Sequence, residues 1–393
     1  MKEKESAIIR LLRVAYRECG ILLTNHIYIF CMVVFPIAVT FFFTDLMHDG
    51  QPTEMPVGVV DLDNSSTSRA LIRRLDAFQS SRIAGRYASV ADAREAIQRN
   101  EIYAFIYFPE DMTDKLAANR QPKISFFYSS TSLTAGALLF RDLKTISTLG
   151  SAAVGQSVMS AKGFTPGQIK TFLQPITIDL HPINNPWINY NIYLSTTLVP
   201  GILMLFIFLI TPYSIGTELK FKTNTELMKL AGDNIWVAIL GKTIPQTIIF
   251  LIIFYGYMMY VFGHLGFPYQ CSTWMMALVG LVSVLAAQGF GIFAFGLMPS
   301  LRMSMSICSL WGVLSMTTGG FTFPVFAMDG PIQALSYLFP LRHYYLIYQM
   351  CVFNGFPIHT AWINWLCMGV FILLPALVMR NIRKAMKEYV YIP

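Results

Sequence analysis

The hydrophobic pattern divides the chain into one long polar interval and a set of apolar runs on either side of it. Runs of about 20 apolar residues can cross a hydrocarbon core as helices. Six are legible, at 20–43, 190–213, 239–262, 274–298, 303–323 and 362–379. Ahead of the first, residues 6–19 carry Arg10, Arg13 and Arg17 on one helical face and Ile8, Leu12, Ala15 and Cys19 on another. A basic stripe opposite an apolar one predicts a helix lying in the membrane interface. The segment 328–353 is apolar but broken by Gly330, Pro331, Pro340, Arg342 and His343. Short re-entrant or interfacial outer helices are expected there, not a seventh span.

The polar interval has the texture of a folded domain. MPVGVVDLD (55–63) reads as a strand ending in a polar turn, and residues 65–76 read as a serine-capped helix. ADAREAIQRN (91–100) predicts a second helix, and IYAFIYFP (102–109) and KISFFYSS (123–130) predict strands. A long helix rich in small residues follows over 133–162, and ITIDLH (176–181) is strand-like. The expected architecture is an α-helical integral membrane protein of six transmembrane helices, with an α/β extracytoplasmic domain inserted between the first two. Its parts are an interfacial helix (1–19), the first span (20–44), the α/β domain (45–186) and the remaining spans (187–393).

Composition agrees with this division. Of the 393 residues 54% are hydrophobic and only 13% charged, where soluble domains carry about 25% charged residues. The interval 45–186 holds 14 of the 29 Lys and Arg and 14 of the 22 Asp and Glu, so the net charge of +7 belongs to the remainder. Basic residues cluster in the N-terminal arm (Lys2, Lys4, Arg10, Arg13, Arg17), after the second span (Lys220, Lys222, Lys229, Lys242), at Arg302, and in the tail (Arg380, Arg383, Lys384, Lys387). The positive-inside rule then puts both termini in the cytoplasm and the polar interval outside. Such a surplus anchors helices at a membrane, and no nucleic-acid partner is expected. The six cysteines avoid the polar interval and lack metal-ligand spacing, so neither a disulfide framework nor a metal site is expected.

Between Thr243 and Met379 the only formal charges are Arg302, Asp329 and Arg342. Charges inside a bilayer are costly and mark ion pathways. Their scarcity argues against ion-coupled transport and suits an apolar or amphipathic substrate moved by an external energy source. Gly241-Lys242-Thr243 resembles the end of a phosphate-binding loop, but Trp236 stands where that motif needs its first glycine. No ATP site, and no bound cofactor, is therefore expected on this chain. Asp61, Asp63, Asn64 and Ser65 read as a turn and helix cap. Arg342-His343 reads either as a snorkelling interfacial pair or as a polar outer site. Residues 215–242 place seven charges around Leu227-Met228 and Leu230-Ala231, which suggests a short amphipathic helix ending at Gly232.

Three stretches resemble ABC-2-type permeases, the membrane subunits of bacterial type V ABC exporters. They are Val57–Asp61 with Asp63, Asn64, Ser65 and Ser68, followed by Phe105–Pro109; Pro200-Gly201, Glu218, Glu226-Leu227 and Leu240–Lys242 with Pro245; and Phe321–Pro324 with Met328, Pro331, Gln333 and Pro340–Tyr344. The chain departs from the pattern at Ala231-Gly232, where relatives often carry Thr-Pro. The resemblance implies a bacterial inner-membrane protein, a second permease subunit in a homo- or heterodimer, and cytoplasmic ATPase subunits that bind ATP and Mg. It also suggests a periplasmic adaptor and contact with membrane lipids. It assigns coupling to the ATPase to Glu218 and to Thr225, Glu226, Leu227, Met228, Lys229, Leu230, Ala231, Gly232 and Asp233. It assigns the outer gate and re-entrant region to Phe321, Phe323, Pro324, Pro331, Pro340, Arg342 and His343. The competing readings are a receptor or scaffold sensing a ligand through its outer domain, and a membrane enzyme in which Arg342, His343 and Asp329 converge.

Overall fold

The computed structural model describes residues 6–118, 120–176, 179–181 and 183–388. They form two compact units, one from the two ends of the chain (through His48 and from Tyr190) and one from Asp49–Asn189.

The first unit opens with α1 (Ala7–Thr24), which runs past the boundary expected at residue 19. It stops at Asn25, whose extended backbone and side-chain oxygen, accepting from the Ile27 N–H, cap the next helix. That helix, His26–Leu46, consists of α2 (His26–Ile29), a π-helical turn (Phe30–Val34) and α3 (Phe35–Leu46).

In the second unit, β1 (Met55–Asp61) pairs in parallel with β2 (Ser81–Arg86) and β3 (Ala104–Phe108), and β4 (Ser125–Tyr128) runs antiparallel to β3. Parallel neighbours need crossovers, which α4 (Ser66–Asp76) and α5 (Val90–Gln98) provide. α6 (Met112–Ala117), α7 (Leu133–Ala161) and α8 (Pro166–Leu173) complete the unit. Val57 and Val59 pack with Leu75, Leu139 and Leu143 on one sheet face, and Val60 and Phe105 pack with Ala93 and Ile102 on the other. Burial on both faces is why β1 is apolar without alternation. β2, SRIAGR, carries no apolar run and gives no strand signal of its own. The strand expected over ITIDLH includes Thr177 and Ile178, which lie outside the described residues.

The acidic turn after β1 is occupied by internal bonds. Asp61 accepts from the Asn64 N–H (3.0 Å) and Ser68 Oγ (2.8 Å), and Ser65 and Ser68 form a capping box. Asp63 accepts from the Thr113 N–H (3.0 Å) and Oγ1 (2.6 Å). Burial works against the Asp63 charge, but hydrogen bonds from Ser65 and Thr113 win and hold its carboxyl below the usual range.

The chain then returns to the first unit through α9 (Tyr190–Lys220), α10 (Asn224–Leu230), α11 (Ile235–Met258, continued by a π-helical turn to His264) and α12 (Thr273–Leu297). α13 (Leu301–Thr318), α14 (Gly330–Ser336), α15 (Pro340–Ile347), α16 (Trp362–Leu373) and α17 (Pro375–Glu388) follow. Among the described residues five helices are long and apolar enough to cross a membrane: His26–Leu46, Tyr190–Lys220, Ile235–His264, Thr273–Leu297 and Ile358–Glu388. The run expected to give another span at 303–323 is helical only over α13. Ser304, Ser306, Ser309 and Ser315 lower its hydropathy, so it falls outside this group.

α9 packs against α3, α12 and α13 and holds two prolines, Pro200 and Pro212. A proline lacks the N–H that would bond the carbonyl four residues earlier. At Pro200 that carbonyl belongs to Thr196, and the buried Tyr344 hydroxyl of α15 donates to it at 3.1 Å. Tyr344→Phe should leave this carbonyl orphaned and cost about 1–3 kcal/mol. The expected result is a lower melting temperature of the detergent-purified protein; an unchanged one would mean that α9 does not need this bond.

Candidate functional site at the α1–α9–α11 junction

The most charged interior region of the first unit lies where α1, the end of α9 and the start of α11 meet. Lys242 is 1% exposed and Glu18 1% exposed, and Nζ lies 2.5 Å from Glu18 Oε2 and 2.7 Å from Glu218 Oε1. Arg17 grips the same Glu218 with two parallel bonds, at 2.8 and 3.1 Å. Thr223 Oγ1 also donates to Glu218. The second Glu18 oxygen accepts from Ser214 Oγ (2.9 Å) and Gln246 Nε2 (3.1 Å). Two carboxylates thus face two cations, with neutral donors filling the remaining lone pairs. A buried ion network requires this completeness, because each unpaired ion would carry its full desolvation cost.

Helix geometry brings these groups together. Gly241 lets α11 cross α1 closely: a Cβ there would sit 2.7 Å from Val14 Cβ and 3.0 Å from the Leu11 carbonyl. Lys242, the next residue, is thereby carried to Glu18. Gly241-Lys242-Thr243 lies wholly within α11, so the sequence resembling a phosphate loop is helical and its lysine belongs to an ion pair. A cavity of about 350 Å³ adjoins the cluster, lined by Arg17, Asn25, Tyr28, Glu218 and Lys242 among others.

The expected coupling segment, 225–233, is α10 with the turn after it. Leu227, Met228 and Ala231 are buried in a core shared with Val14, Ile215, Ile235, Ile382 and Met386, and Leu230 packs at its edge. The face left exposed is Thr225, Glu226 and Lys229, with Gly232 and Asp233 beyond. Glu226 reaches back to Arg17, Nε to Oε1 3.5 Å, so the exposed face is one ion pair away from the buried cluster. Below α10, Asn224 donates to the Met386 carbonyl at 2.7 Å, and Asp233 pairs with Lys387 (2.7 Å) and Arg383 (3.1 Å) of α17. The hydrogen bond from Lys387, helped by Arg383, holds the Asp233 carboxyl below its usual range.

Gly232 and Asp233 both have positive φ, +65° and +61°. The helix therefore ends in a left-handed turn, which explains glycine after Ala231. A Cβ on Gly232 would lie 2.1 Å from Arg10 Nη1. Gly232→Ala should cost roughly 1–2 kcal/mol in backbone strain. Faster amide exchange confined to residues 224–231 is expected; no change in exchange would mean that the turn relaxes freely.

The residues assigned to the outer gate and re-entrant region differ in exposure. Phe321, Pro340, Arg342 and His343 are buried, whereas Phe323, Pro324 and Pro331 are exposed. His343 is held at both ring nitrogens, Nδ1 3.0 Å from Asn364 Oδ1 and Nε2 2.9 Å from the Tyr337 carbonyl. Burial pushes its pKa down, while the hydrogen bonds with Asn364 and the Tyr337 carbonyl work the other way. The Arg342 guanidinium lies over the Tyr337 ring at 4.5 Å.

Of this cluster only Glu218 is among the residues the sequence points to as functional; Lys242, which it shares with Glu18, and Gln246, which donates to Glu18, are not. A signal was available. Lys242 stands inside an otherwise apolar helix and Glu18 inside a basic stripe, and an isolated charge in such a place needs a counterion.

Long apolar helices around a buried charged junction define a polytopic membrane protein. The model of the family described as ABC-2 family transporter protein matches residues 26–379, and the chain belongs to that family. It is a membrane-embedded transporter subunit, of a kind that associates with ABC ATPases and carries no ATPase site of its own. No curated protein matches the sequence closely enough to count as a relative.

Proposed function

We propose that the chain is the permease subunit of an ATP-driven exporter, moving an apolar or amphipathic substrate out of the cytoplasm or inner leaflet of a bacterial inner membrane. In this reading six helices span the bilayer, the five apolar ones and α13, which at 18 residues is about 27 Å long. Both termini are cytoplasmic, as the basic residues flanking the helices suggest, and the Asp49–Asn189 unit is an extracytoplasmic α/β domain. Two permease chains, identical or not, work with two separate ATPase subunits that bind ATP and Mg, and a periplasmic adaptor takes up the exported substrate.

The observation that carries this reading is the continuity from the exposed face of α10 through Arg17 to the buried Glu218–Lys242–Glu18 cluster. An ATPase seated on Thr225, Glu226 and Lys229 would push on a junction that ties α1 to two apolar helices. ATP binding can then bias inward- and outward-facing arrangements through differential contact with each. The receptor or scaffold reading draws on no separate observation. The test is co-expression with an ABC ATPase, purification of the complex and reconstitution in vesicles. ATP-dependent extrusion of an amphipathic dye, with ATPase activity raised over that of the isolated subunit, is expected. A chain that binds no ATPase in this format would end the proposal.

A further inference from the structure

A second site lies far along the chain from the charged junction. Within the Asp49–Asn189 unit, α4, α6, residues 120–125 and the second half of α7 line a cavity of about 800 Å³ that is open to the surface. Sites for drug-sized ligands occupy roughly 300–1,000 Å³ and combine an apolar wall with a few placed polar groups. Here the apolar wall comes from Leu71, Leu116, Ile124 and Val154. Hydroxyls of Ser66, Thr67, Ser125, Ser147 and Ser151 are set among them.

The charge around this cavity is one-sided. Arg74, Arg120 and Lys123 line it, and no aspartate or glutamate does. Elsewhere in the unit Arg82, Arg99, Lys115 and Arg141 each lie within 4 Å of a carboxylate, whereas Arg69, Arg73, Arg86, Arg94, Lys144, Lys162 and Lys170 do not. Among the described residues none of the three cavity cations has such a partner. What sets Arg74, Arg120 and Lys123 apart is that all three line one cavity with an apolar wall, which suits a ligand that is both acidic and greasy. A lone inorganic anion would leave most of the volume and the aliphatic wall unused. A nucleotide or aromatic glycan would want a ring to stack on, and among the described residues no aromatic side chain lines the cavity. A neutral lipid would leave the cations unanswered.

We infer that this cavity binds an amphipathic organic anion: an aliphatic chain lying against Leu71, Leu116, Ile124 and Val154, with its acidic head among Arg74, Arg120 and Lys123. The inference goes beyond the export reading and does not depend on it, because binding needs neither an ATPase nor transport. Lack of ATPase stimulation would leave it standing, and lack of binding here would leave export standing.

The test is photolabelling of the full-length chain in nanodiscs of zwitterionic lipid, using palmitic acid carrying a chain diazirine and the matching diazirine alcohol. Labelled positions are mapped by mass spectrometry. The acid should label peptides covering 66–74 and 147–155 about fivefold more than the alcohol, the upper end of what an exposed ion pair contributes. Competition by dodecanoate and by dodecyl phosphate then tells a carboxylate head from a phosphate head. Arg74→Glu with Arg120→Glu and Lys123→Glu, all at exposed side chains, should cut the acid's labelling of these peptides about tenfold. Labelling of the apolar helices should stay as it is, and unchanged amide exchange of β1 and β3 in the triple variant reports an intact fold of the unit. Equal labelling by acid and alcohol, labelling confined to the apolar helices, or labelling that survives the triple reversal would each overturn the inference.

Discussion

Lys242→Met should be the most damaging single substitution in the first unit. It removes the one cation shared by Glu18 and Glu218 and leaves Glu18 buried with only neutral donors. Breaking a buried ion network by deleting one partner costs about 3–5 kcal/mol, mostly from the charge left behind. Glu218 keeps Arg17, so Glu18 carries most of the penalty. The expected drop in melting temperature is roughly 10 °C for the detergent-purified protein. The second arm follows from the same argument. Adding Glu18→Gln to Lys242→Met removes the unpaired charge, and the double variant should recover most of the lost stability. If both variants melt alike, or Lys242→Met melts like the parent, the cluster does not hold the three helices together.

Lys229→Glu should have the largest effect on coupling while leaving the fold intact. Lys229 is exposed on α10 beside Thr225 and Glu226, and exposed substitutions away from special features shift stability by no more than about 0.5 kcal/mol. Reversing its charge in a contact surface introduces repulsion or an unpaired ion, and about a tenfold loss of ATPase stimulation is expected. The control is Leu227→Asp, which strikes the buried side of the same helix. That variant should unfold the α10 region, giving both poor yield and lost stimulation. Full stimulation by Lys229→Glu would move the ATPase contact off this face.

The contrast between these two residues shows how far the pattern along the chain could go. The charged segment with its apolar pairs was legible as a short amphipathic helix, because a polar face and an apolar stripe at helical spacing state themselves locally. Which face would remain exposed was not legible. Leu227 and Leu230 look equivalent in sequence, yet Leu227 is sealed against Ile215, Ile235 and Ile382 while Leu230 sits at the edge. That depends on the returning α17, over 150 residues later in the chain.

The N-terminal helix α1, expected to lie in the membrane interface, makes the same point. Its amphipathicity was plain, and its apolar stripe is exposed in the structure at Ile8 and Leu12. The basic stripe, expected to face water, instead turns Arg17 toward Glu218.

The sequence by itself determined the long apolar helices, the polar interval between the first two, and the family signature, since each depends only on neighbours a few residues apart. It also showed how few charges the apolar half holds. Only the tertiary structure decided that Glu18, Glu218 and Lys242 share one buried site, and that Asp63 is held by Thr113, 50 residues further along the chain. It also decided that Arg74, Arg120 and Lys123 stand unmatched around one cavity. Charge balance inside a protein is set by what meets across helices, and sequence spacing does not carry that information.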